Sequence, residues 1–107
     1  MANFLFIYHG GRDPEGPEEV EVMLGQWGGW LGGLGDATVD EGNPVGQSYT
    51  VNPDNSVADN GGANPASGYG IFRADSLEQA LEIAKGCPIL LYDGSIEVAE
   101  IHEVTLD

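Results

Sequence analysis

Positive charge is what this sequence lacks most. Three basic residues, Arg12, Arg73 and Lys85, stand against 18 acidic ones, a formal net charge of -15 over 107 residues. Nucleic acid is excluded as a partner, because phosphate binding needs a basic surface. Anionic membrane surfaces are disfavoured for the same reason. Cysteine is reduced to Cys87 alone, which rules out an internal disulfide. It stands in Gly-Cys-Pro at a helix end and reads as a small buried apolar residue. No apolar run approaches the ~20 residues of a membrane span, and the opening MANFLFIYHGG has no basic head of a signal peptide. The expectation is a cytoplasmic chain. Two isolated histidines, His9 and His102, and one cysteine offer no convergent metal ligands. No nucleophile-His-Asp arrangement is recognisable, and nothing calls for a cofactor.

Glycine, in contrast, is abundant, and six of the 17 fall in GQWGGWLGGLGD, residues 25–36. A phosphate-cradling loop fails here: Gly33-Leu34-Gly35 meets Thr38 where a third glycine belongs, and no Gly-Lys-Ser/Thr follows. At about 100° per residue, Val20, Met23, Leu24, Trp27, Trp30, Leu31 and Leu34 fall in one stripe, with Gly25, Gly28, Gly29, Gly32 and Gly33 outside it. The spacing predicts a helix from Pro17 to about Leu34, ended by Gly35. Five interior glycines cost it roughly 5 kcal/mol against alanine, so it forms only when the stripe docks.

The remaining elements follow from local pattern. NFLFIY (3–8) is a strand apolar on both faces, with Phe4, Phe6 and Tyr8 on one and Leu5, Ile7 and His9 on the other. DATVDEGNPVG (36–46) reads as a turn-rich connection, GQSYTV (46–51) as the second strand and residues 52–67 as a loop. GYGIFRA (68–74) is the third strand. DSLEQALEIAKGCP carries a capping box at Asp75 or Ser76 and a stop at Gly86 and Pro88. A turn at Asp93-Gly94 leads into SIEVAEIHEV (95–104), whose apolar phase slips near Ala99 and predicts a bulge. The fold class expected is α+β: a ferredoxin-like βαββαβ antiparallel sheet with two helices on one face. Its bare second face is apolar and calls for a second subunit, a homodimer joined through the sheets.

GYGIFRADSLEQALEIAKGCPIL followed by DGSIEV closely resembles the C-terminal half of YCII-related proteins, with their Gly-Tyr, Ala-Asp-Ser-Leu-Glu-x-Ala, Cys-Pro and Gly-Ser-Ile-Glu-Val elements. YHGG, WGGWLGGLGDATVDEGNP and the ANP loop resemble a glycine-rich branch of that family, so the likeness spans nearly the whole chain. The resemblance implies a single domain over 1–107 that pairs as a dimeric α+β barrel. It also implies a kinship with small lyases or isomerases whose first helix bears a histidine paired with an aspartate. This sequence has Trp27 and Trp30 on that helix and no histidine, and Asp59-Asn60-Gly61-Gly62 replaces the familiar Asp-Gly-Pro-Phe loop.

His9, followed by Gly10 and Gly11, is the candidate general acid or base. It is placed at the sheet end near Asn43, Asn64 or an aromatic of the first helix. Asp40, Asn43, Asp59 and Asn64 flank the predicted second strand and are candidate ligand-binding groups, together with Arg73 and Trp27. His102 reads as structural or interfacial. Three functions fit: a cofactor-independent lyase or isomerase using His9; a non-catalytic dimeric small-ligand-binding or accessory protein; and a docking protein that uses the glycine face of the first helix.

Overall fold

The computed structural model describes residues 2–105. Its architecture is α+β, with four antiparallel strands, two helices and a separate two-stranded hairpin. Strand β1 (Ala2–Gly10) leads into helix α1 (Pro17–Leu34), then the short strand β2 (Thr38–Asp40). The hairpin β3 (Thr50–Val51) and β4 (Val57–Ala58) follows, then β5 (Ala66–Ala74), helix α2 (Leu77–Lys85), a 3-10 turn at Pro88–Tyr92 and β6 (Gly94–Glu100). The main sheet runs β2-β5-β1-β6. No helix among the described residues is long and apolar enough to cross a membrane.

Alternation along β1 builds the core. Phe4, Phe6 and Tyr8 are buried on one face, joined by Phe72 and Ala74 of β5 and by Ile96 and Val98 of β6. Both helices cover this face. α2 contributes buried Ala80 and Ala84, and its N-cap Ser76 accepts from the Gln79 backbone N–H at 3.1 Å. In turn the Gln79 side chain accepts from the Asp75 N–H, so two otherwise orphaned donors are satisfied. α1 spans the predicted residues and ends on Gly35, which has positive φ. Its Trp30 indole donates to the Ile83 carbonyl at 3.2 Å, binding α1 to the last turn of α2.

Several expectations need correcting. The six-element order is interrupted by the extra hairpin, and the second strand of the main sheet is Thr38–Asp40 rather than residues 46–51. Thr38 pairs with Phe72 and Asp40 with Ile71, with a bulge between, and Pro44 bridges to Gly68 further along the same edge. A β-branched Thr-Val pair suffices for an edge strand, where proline and irregularity are tolerated. GQSYTV alternates with no core to face, and only Thr50–Val51 becomes strand. The last strand keeps a regular register with β1 from Gly94 to Glu100, so the phase slip marks the strand end and not a bulge at Ala99. The bulge in β1 pairing lies instead where His9 meets Ala66 across the skipped Ser67. The apolar stripe of α1 docks only in part, leaving Val20 and Leu24 exposed and no α1 residue fully buried.

Candidate functional site

A cleft of ≈ 560 Å³ opens at the end of the sheet, between α1, the β1 terminus and residues 41–45. Tyr8 and Trp27 form its floor, their rings edge to face with centroids 5.4 Å apart. That pair continues through Trp30 (5.7 Å) to Phe72 (5.2 Å) and Phe6 (4.5 Å), so an aromatic chain joins cleft to core. Met23, Leu31 and Ile89 add aliphatic wall. Such a surface favours apolar and ring-bearing guests.

Gly10 and Gly11 carry the chain around the cleft's edge at φ 67° and 90°, a left-handed course that suits glycine. The turn delivers the Arg12 N–H to the Tyr92 carbonyl at 2.7 Å. It also sets the Arg12 guanidinium 5.0 Å from the centre of the Tyr92 ring, within cation–π range. Glu19 accepts from Arg12 Nη1 at 2.6 Å and from the Glu15 backbone N–H at 2.9 Å, fixing the loop to the first turn of α1. These donors hold the Glu19 carboxyl below the usual carboxylate range. Tyr92 in turn donates its hydroxyl proton to Gln26 Oε1 of α1.

The Tyr8 hydroxyl is buried without a hydrogen-bond partner. Burial, reinforced by the neighbouring Cys87 thiol, pushes its pKa far above that of a free phenol. Cys87 is itself buried and free, its own pKa raised by burial to about 11. Its burial beside Tyr8 agrees with the reading of a small buried residue.

His9 lies on the opposite side of the sheet. Its ring is buried with Leu5 and Ile7 on the outer face, where Nε2 is 3.0 Å from Glu97 Oε1 and Nδ1 is 3.2 Å from the Pro65 carbonyl. A carbonyl and a carboxylate only accept, so this setting favours the imidazolium, in which both nitrogens donate. Its pKa is raised, first by the Glu97 hydrogen bond, against the lowering effect of burial. Its carboxylate partner, Glu97, stands on β6, and neither Asn43 nor an aromatic of α1 is among its hydrogen-bond partners.

Of the remaining candidates, Trp27 and Asn43 line the cleft. Asp40 closes a local turn by accepting from the Gly42 N–H at 2.8 Å. Asp59 accepts from Gln47 at 2.7 Å in the base of the hairpin. Asn64 is exposed beside Pro65, and Arg73 is exposed on the outer sheet face opposite Asn3. His102 is exposed beyond the end of β6. Sequence reading missed Tyr8, Tyr92, Ile89 and Arg12. For Tyr8 a signal existed, because its strand face is the one the Trp stripe must cover. Among the described residues no group of three or more His, Cys, Asp or Glu side chains gathers to hold a metal ion. In comparison with known proteins, the chain matches no family model and no curated sequence.

Proposed function

We propose that the chain is a dimeric small-ligand-binding protein, and that its ligand is a small, largely apolar ring compound held in the Tyr8–Trp27–Tyr92 cleft. The observation that carries this reading is the separation of the two features an enzyme would need together. The cleft is walled mainly by aromatic and aliphatic side chains, with Arg12, Asp13, Glu41 and Asn43 also lining it, whereas His9 faces the other side of the sheet with both nitrogens occupied.

The same reading takes the β2-β5-β1-β6 sheet as a ferredoxin-like unit with the β3–β4 hairpin inserted, related to the YCII proteins and paired as a dimeric α+β barrel. Support comes from the outer sheet face. Leu5 pairs with Ile71 and Ile7 with Tyr69 across it, and all four stay only half-buried, outside the core. A cofactor-independent lyase or isomerase using His9 is the second reading, favoured by the buried His9–Glu97 pair. It requires one of the two ring bonds to open for a substrate.

A thermal-shift and tryptophan-fluorescence screen of ring-bearing metabolites separates the two. Binding without turnover, lost in Trp27→Ala and kept in His9→Gln, is the expected result. Turnover abolished by His9→Gln establishes the enzyme reading in its place.

A further inference from the structure

The β3–β4 hairpin does nothing for the core of its own chain. Its strands pair only with each other. Tyr49, Val51 and Val57 are 61%, 69% and 64% exposed. It lengthens the molecule: the radius of gyration is 15.5 Å, against about 13 Å for a compact chain of this size. A lone two-stranded hairpin is marginal in water, yet this one is firmly built. Asp54 accepts from the Ser56 N–H at 2.9 Å and from its hydroxyl at 2.6 Å, and Asn52 N–H reaches the Ser56 carbonyl at 2.8 Å. Gln47 and Thr50 tie its base to Asp59 and Asn60. Its exposed Tyr49, Val51 and Val57 join no core of their own chain and are free to meet an apolar surface from outside.

Two observations identify that surface as a second copy of this chain. The hairpin's return segment is anchored on the uncovered sheet face, where the Pro65 carbonyl accepts from His9. The arm therefore leaves from the rim of the Leu5–Ile7–Tyr69–Ile71 patch. Charge points the same way. A partner that also carries -15 is repelled by most of this surface, but between Asn43 and Phe72 the only charged residues are Asp54 and Asp59. Arm and sheet face together are sparsely charged for so acidic a molecule, with Asp54 and Asp59 on the arm and Glu97 and Arg73 on the face.

We propose that the hairpin is a dimerisation arm, whose Tyr49, Val51 and Val57 pack against a second copy joined through the outer sheet face. The inference rests on the sheet-face dimer proposed above, and sedimentation across a concentration series tests them separately. Three variants are compared with the unaltered chain: V51D/V57D, the milder Tyr49→Ser, and Ile7→Asp on the face. The expected result is a dimer whose dissociation constant rises at least tenfold in V51D/V57D and measurably in Tyr49→Ser. Far-UV circular dichroism should remain unchanged, because all three side chains are exposed in the single chain and none enters its core. A dimer insensitive to both arm variants but dissociated by Ile7→Asp overturns the arm and keeps the sheet-face reading. An unaltered chain that is monomeric at high concentration overturns both.

Discussion

His9 shows how one residue's surroundings decide between chemistry and structure. Between a carboxylate and a carbonyl its imidazolium is favoured over the neutral ring, and its pKa stands above the ordinary 6.5. A raised folded-state pKa means that the folded protein holds this proton more tightly than the unfolded chain. The stabilisation is therefore complete below about pH 6.5 and is lost as pH climbs through the folded value. Thermal midpoints should fall as pH rises above about 6.5, and Glu97→Gln should flatten that decline. An unchanged slope in Glu97→Gln would assign the pH dependence to other groups. Because the pair ties β1 to β6 and β1 to the hairpin's return, its loss should also loosen residues 59–65 in hydrogen exchange.

At the scale of the elements, glycine divides into two kinds. On α1, a methyl added at Gly29 meets nothing within 4 Å, so Gly29→Ala should stabilise the chain by up to about 1 kcal/mol from helix propensity. Gly42 is the opposite case. It has φ 72°, and a methyl there would collide with the Tyr69 carbonyl across the β2–β5 edge. Gly42→Ala should cost several degrees in thermal midpoint and disturb the cleft wall that residues 41–45 form. Melts of the two variants check both outcomes, and a destabilised Gly29→Ala would mean that another backbone packs against α1. The extent of α1 and the cap of α2 were legible in sequence because periodicity, Ser76 and Gly35 are local signals. The edge strand was not, since Thr38–Asp40 is strand only because β5 lies beside it. Likewise Trp27 and Asn43 could be picked from sequence, while Tyr92 enters the cleft through a 3-10 turn whose position depends on packing against β1 and α1. His9 was correctly assigned to the Leu5–Ile7 face, but Glu97 as its partner emerges only from the pairing of β1 with β6.

At the scale of the molecule, 18 acidic and three basic residues make self-repulsion a general tax on compactness. Added salt screens exposed charges over about 10 Å at 0.1 M, so the thermal midpoint should rise steadily with sodium chloride in the low ionic-strength range. A flat response would mean that the acidic groups are too dispersed to matter. The aromatic chain that runs from cleft to core has a further consequence, this one optical. Trp27 and Trp30 are the only tryptophans, and their rings stand 83° apart with centroids at 5.7 Å. Two indoles so close and so inclined share their excited states, and the folded chain should show a paired positive and negative band in its ultraviolet dichroism. Trp30 is moored to Ile83 while Trp27 faces the cleft. A guest that tilts Trp27 alone would change the splitting of those bands, so the protein carries its own unlabelled reporter of occupancy.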